Sequence, residues 1–299
     1  MPPKHWSHDR KHFYKYMTAE TAKMVLQNGT LRWSSPSLFN DPFDVQFDLH
    51  IEYDHDRVAE RAMQIVLDGY AGRAPIVAGN LHGVLLSIMR ERMPGAISEA
   101  ELRKTLTLGI YEGMEKAEAR LPQVHNEIRA VIAGFKLLCF SEVFDNILMW
   151  AHYSQNHTGV VLELSCIEKL DSAWGAARPV KYMDRMPLLY DEERMVRLMS
   201  GEGKIGEDEI LENSVFVKAA DWAYEREWRI AGGRDKTKNT EDIPFYAEEI
   251  TAIFLVVEAA KQTQRKSERS SIKSIRMPAC MQAKSQSGGL LLSLRKRSD

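Results

Sequence analysis

Between about residues 54 and 134 the apolar side chains recur at helical spacing, with Ala59, Ala62, Ile65 and Val66 on one face, while the segments before and after it read as strands. A chain laid out as strands, then helices, then strands again does not build repeated βαβ units. The expected fold is therefore α+β, a mixed or antiparallel sheet core with a helical insertion. No Pro/Ser-rich linker sets the helical stretch apart, so 1–299 reads as a single domain and 54–134 as an insertion or cap. Capping signals sharpen individual helices. Thr18 precedes a helix from Ala19 to Gln27 that Asn28-Gly29 stops, and Ser98 with Glu101 forms a capping-box pattern.

Strands are expected at Phe13–Tyr16, Leu31–Ser34, Phe135–Phe140, Val160–Leu164, Tyr224–Ile230 and Ile250–Val257. Further helices are expected around Ile147–Tyr153, Asp191–Met199 and Glu207–Lys218. The basic C-terminal segment, 261–299, contains Ile272, Ile275, Met277 and the run Leu290 to Leu292, read as short edge strands. A net charge of -2 gives no overall field toward nucleic acid or an anionic membrane. Cys139, Cys166 and Cys280 lack CxxC spacing, which points to a reducing compartment without structural zinc. The stretch MPPKHWSHDRKHF has no apolar core of signal-peptide length, and no run of about 18 apolar residues occurs. The expectation is a cytoplasmic protein without a membrane partner.

Three segments concentrate polar and aromatic residues. In WSSPSLFNDPFD, Ser34 and Ser35 end a strand where they can bond a ribose or phosphate, and Asn40-Asp41-Pro42 favours a turn that exposes its side chains. The plainer reading is an Asx-type turn with serine caps. In MWAHY, Trp150 and Tyr153 stand three apart on a helix and can wall a pocket for a planar ring, with His152 as a titrating neighbour; they can equally pack a core. His152 and His157 are five apart and diverge on a continuous helix, so no metal is assigned to them. In YEREWRI, strand alternation places Glu225, Glu227 and Arg229 on one face and Tyr224, Arg226 and Trp228 on the other. Paired carboxylates repel unless a cation or ligand hydroxyl lies between them, and Arg229 can serve as that cation in a purely structural network.

The sequence resembles a bacterial family described as domain of unknown function 2971. The resemblance rests on Tyr14-Lys15-Tyr16 before a short helix, FNDPFD from Phe39, CFSE from Cys139, MWAHY from Met149, HTG from His157 and WAYEREWRI from Trp222. By segment order the chain also resembles ADP-ribosyltransferases. That resemblance implies Lys15 or Tyr16 as a first-strand anchor, Ser34 or Ser35 as the strand serine, and Glu225 with Glu227 as the acidic pair, Glu227 being catalytic. The chain departs from that pattern in having no Arg or His within Phe13–Tyr16.

The leading functional expectation is a nucleotide-dependent enzyme of NAD glycohydrolase or ADP-ribosyltransferase type, an effector in the manner of a toxin. NAD would be a substrate rather than a tightly bound cofactor, and a protein or nucleic acid would be the acceptor. Glu227 steadies the sugar charge, Glu225 activates water or acceptor, His152 titrates beside them, and Tyr14, Lys15, Tyr16, Ser34, Ser35, Asn40, Asp41, Trp150, Tyr153 and Arg229 bind substrate. Glu227→Gln is expected to remove turnover at little cost in stability. One alternative is a metal-dependent nucleic-acid effector in phage defence, with Asp41, Glu225 and Glu227 around Mg²⁺ and the tail Lys261, Arg265, Lys266, Arg269, Lys273 and Arg276 on phosphate. Another is a non-enzymatic ligand-sensing module in which the carboxylates form a structural clamp.

Overall fold

The computed structural model describes residues 3–41, 44–45, 50–93, 95–185, 187–203, 207–233, 235, 237–257 and 271–276. The fold is α+β. Where the sequence suggests one domain with an inserted block, the chain clusters into two compact units, Met1–Asp44 with Ala133–Asp184 and Lys218–Asp299, and Val45–Ile132 with Arg185–Val217.

Among the described residues the first unit is built on one antiparallel sheet of nine strands: β1 (His12–Met17), β2 (Thr30–Ser34), β3 (Lys136–Ser141), β4 (Val160–Ser165), β5 (Arg178–Pro179), β6 (Glu227–Gly232), β7 (Thr240–Pro244), β8 (Ile250–Val257) and β9 (Ser271–Arg276). Its order is β7-β2-β3-β1-β4-β8-β9, with β6 pairing both β3 and β5. Helix α1 (Ala19–Asn28) joins β1 to β2. Thr18 accepts the Thr21 N–H at its start, and Gly29 ends it at φ 63, a left-handed conformation that glycine enters without Cβ strain. One sheet face buries Phe13, Leu31, Trp33, Leu138, Phe140, Leu162, Leu164 and Ile230, with Phe13 and Phe140 stacked at 5.4 Å. The other face packs Tyr16, Val161 and Phe254 against Met149 and Trp150. Each large apolar side chain so covered contributes about 1.5–3 kcal/mol of transfer free energy. β4 is covered on both faces, which is why VVLELS runs apolar.

The second unit contains α2 (His55–Tyr70), α3 (Leu81–Arg92), α4 (Glu99–Ala119), α5 (Leu121–Ala133, whose last residue falls in the first unit), α7 (Glu192–Met199) and α8 (Glu207–Val215); α6, Ile147–Tyr153, belongs to the first unit. Val58, Ala62, Met63, Val66, Leu102, Ile110, Met114, Met195 and Val196 form its core. The Ser98–Glu101 capping box is present, and Asp191 caps α7. His50–Ile51 pairs in parallel with Leu188–Tyr190. No helix among the described residues is long and apolar enough to cross a membrane.

Three expectations need correction. The helix expected from Glu207 to Lys218 ends at Val215, and Val217–Ala219 is a short strand. The first strand begins at His12, whose ring turns to the Ser165 hydroxyl at 2.9 Å. The Tyr224–Ile230 strand starts only at Glu227: Ala220–Glu225 form a 3₁₀ helix that Arg226 ends in a left-handed conformation at φ 45. Of the tail, Ile272 and Ile275 lie in β9; Cys280, Met277, Leu290 to Leu292, Lys261, Arg265, Lys266 and Arg269 lie outside the described residues.

Candidate functional site

The sheet forks around β3. That strand pairs β6 over six positions but β1 only at Tyr14↔Ser141 and β2 only at Ser34↔Leu137. A cleft of about 370 Å³ occupies this region, lined by Tyr14, Lys15 and Tyr16 from β1, Arg32 and Ser34 from β2, Cys139 and Ser141 from β3, His152 and Tyr153 from α6, and by Asn40, Asp44, Lys218, Glu225 and Glu227.

Four of these, Asp44, Lys218, Glu225 and Glu227, join the fully buried Arg229 in one cluster of charged side chains. Arg229 Nε donates to Glu227 Oε1 (2.7 Å) and its Nη2 to Glu227 Oε2 (3.0 Å) and to both oxygens of Asp44 (2.8 and 2.7 Å). Lys218 Nζ donates to Glu225 Oε2 (2.7 Å) and Glu227 Oε2 (3.1 Å) and lies 3.3 Å from Asp44. Tyr153 Oη donates to Glu225 Oε1 at 2.5 Å, and the Tyr182 hydroxyl accepts the Glu227 backbone N–H at 2.7 Å. Arg229 is 0% exposed, and the other four members are also buried. Charges so far from water persist only because each finds several partners.

The two glutamates are tuned in opposite directions. Burial alone pushes the Glu227 carboxyl up, but the Arg229 and Lys218 charges outweigh it and hold Glu227 well below the usual carboxylate range. Burial and the Glu227 charge raise Glu225 against the pull of Lys218. Asp44 is raised by burial and by Glu227, against Arg229 and Lys218. Burial works against the Lys218 ammonium, yet Glu227, Asp44 and Glu225 together keep it charged.

Tyr14, Lys15, Tyr16, Ser34, Asn40, His152, Tyr153, Glu225 and Glu227 thus share one cleft despite their separation in sequence. Asn40 reaches it through a side-chain hydrogen bond with Tyr153. His152 is exposed and hydrogen-bonds the Tyr224 hydroxyl through Nδ1 at 2.9 Å, beside Trp222. Other expected site residues lie elsewhere. Trp150 is a core residue, 1% exposed, its Nε1 donating to the Phe144 carbonyl and its ring set edge-on to Tyr16, so it does not wall the cleft. Ser35 is buried and accepts from the Ser37 hydroxyl. Asp41 does not line the cleft; its carbonyl accepts the Asp44 N–H at 3.1 Å. Arg229 lies under the cleft instead of lining it.

Lys218 and Asp44 were missed. A buried group of two glutamates and one arginine lacks a positive charge, and Lys218 is the nearest cation upstream; that imbalance was the available signal. Asp44 closes the FNDPFD run, whose Pro42 and Phe43 lie outside the described residues. The Lys218 ammonium occupies the position between Glu225 and Glu227 that a divalent cation would need, and no group of three or more His, Cys, Asp or Glu arranged to hold a metal occurs among the described residues.

No curated protein and no solved structure matches the chain, and nothing in these comparisons supports the resemblance to ADP-ribosyltransferases. A family model does match residues 149–230, the stretch that runs from the first residue of MWAHY to the last of WAYEREWRI, and that family is described as protein of unknown function (DUF2971).

Proposed function

We propose that the cleft binds a nucleotide and cleaves its glycosidic bond, with NAD the candidate substrate and water, a protein or a nucleic acid the acceptor. The observation that carries this reading is the pair of cleft-lining glutamates, both bonded to Lys218, whose proton affinities are driven apart, the arrangement expected where one group acts as base and the other as a fixed charge. Glu227, kept ionised, stabilises positive charge as it develops on the sugar carbon during departure of nicotinamide. Glu225, with raised proton affinity, takes the proton of the attacking water or hydroxyl, and Tyr153 orients it. Tyr14, Tyr16 and His152 supply ring surface and hydrogen-bonding groups for the ligand.

One observation favours a second reading, a ligand-sensing module without turnover: both Glu227 oxygens are already held by Arg229 and Lys218, as in a structural clamp. The presence of Lys218 between the glutamates weighs against the nuclease alternative. Incubation of the purified chain with NAD and with nucleic acid, with and without EDTA, followed by mass spectrometry, separates the three. Nicotinamide release unaffected by EDTA and absent in Glu225→Gln is the expected result. Saturable NAD binding without release would replace it with the sensor, and metal-dependent cleavage of nucleic acid with the nuclease.

A further inference from the structure

We infer that the cleft recognises its ligand through a phosphate group, with the Lys15 ammonium as the anion's partner and the Ser34 hydroxyl beside it. This rests on the reading of the cleft as a ligand site and names the class of ligand it takes. The buried charges beneath the cleft satisfy one another: Arg229 and Lys218 are matched by Glu227, Asp44 and Glu225. Lys15 stands outside that balance. Its half-buried side chain lines the cleft and donates to the neutral Cys139 carbonyl at 2.6 Å, and no carboxylate lies within ion-pairing distance of it among the described residues.

An ammonium has three donors, so two remain for a ligand, and a positive charge partly removed from water gains most from an anion. Ser34, on the neighbouring arm of the fork, also lines the cleft, and its hydroxyl has no hydrogen-bond partner among the described residues. Arg32, two residues earlier on β2, also lines the cleft, but its charge is matched by Asp242 at 3.0 Å, which leaves Lys15 as the ammonium available to a ligand. The cleft therefore carries spare donors on β1 and β2, with the positive charge on β1, and carboxylates at Asp44, Glu225 and Glu227. A molecule with a phosphate at one end and sugar hydroxyls at the other matches both; an uncharged nucleoside leaves Lys15 unmatched.

The test is calorimetric titration of the full chain with ADP, adenosine and inorganic pyrophosphate at low and high salt. ADP and pyrophosphate should bind, compete with each other and weaken as salt rises, whereas adenosine should bind weakly and without salt dependence. Lys15→Gln keeps a donor for the Cys139 carbonyl and should melt with the wild type, yet lose roughly tenfold to a hundredfold in ADP and pyrophosphate affinity and none for adenosine. Wild-type ADP affinity in Lys15→Gln, or no binding of either phosphate by the wild type, would overturn the inference. Binding and turnover are read separately, so ADP binding through Lys15 without nicotinamide release from NAD would sink the glycosidic reading alone. Release by Lys15→Gln at the wild-type KM would sink this one alone.

Discussion

The ion pairs of the helical unit and those of the sheet unit use the same side chains to opposite ends. In the helical unit Arg61 reaches Glu192 at 3.2 Å and Glu193 at 2.6 Å, and Arg73 reaches Asp68 and Glu99 at 2.6 Å each; both arginines are nearly half exposed. In the sheet unit Arg229 has no exposed surface, and it and Lys218 hold three carboxylates among them. Exposed pairs gain little over hydration and are screened by salt. Buried ones must first offset a large desolvation cost, and well-packed apolar residues in their place are often as stable. A buried five-member cluster is thus weak evidence for stability and stronger evidence for a site, especially with all three of its carboxylates lining a cleft.

The largest effect that can break this comparison is expected from Arg229→Met. It leaves Glu227 and Asp44 with Lys218 alone and should cost about 3–5 kcal/mol in urea denaturation. An unchanged midpoint would show that water already reaches the cluster.

Glu227→Gln should follow at about 2–3 kcal/mol, because Gln keeps an acceptor for Arg229 while the charge that faces Arg229 and Lys218 is lost. This replaces the expectation of a nearly unchanged melting temperature, which held only for a carboxylate without buried partners. Activity and stability should fall together in this variant, so Glu225→Gln is the cleaner probe of chemistry.

Glu225→Gln should cost least within the cluster and reveal itself in pH dependence. The folded Glu225 carboxyl is raised above its ordinary 4.5, so the folded chain holds that proton longer and the stability it confers declines as pH rises above 4.5. Glu227 is depressed, so its contribution is present above 4.5 and lost as pH falls below it. Melting curves from acid to neutral pH should therefore give wild-type-minus-variant differences that slope in opposite senses for the two substitutions. Slopes of the same sign would refute the opposed tuning.

Arg61→Ala should have the smallest effect, below the resolution of a thermal melt at physiological salt. A clear drop in melting temperature would erase the contrast between the two regions.

Much of the site was legible because its parts are marked locally. Tyr16, Ser34, His152 and Glu227 each sit in a segment denser in polar and aromatic residues than a strand or helix needs, and all four line the cleft. Trp150 and Tyr153 show where such reading stops. Helical spacing places both on α6, but it does not say that β1 and β8 cover one of them while the other faces Glu225. Lys218 was hidden because a polar stretch ending in VFVKA continues a helical pattern, while the chain leaves the helix at Val215 to pair with Lys181–Met183.

By itself the sequence determined what short-range physics controls: α1 between its Thr18 cap and Gly29, α6 over Ile147–Tyr153, and β8 over Ile250–Val257, each set by capping groups and apolar period within a few residues. Tertiary structure alone decided the rest. Period-two alternation through YEREWRI foresaw that Glu225, Glu227 and Arg229 converge, yet they do so across a left-handed turn at Arg226, not along one strand. The charge pairing joins Asp44 to Arg229 across 185 positions of chain, and an electrostatic partner that distant leaves no mark on local pattern.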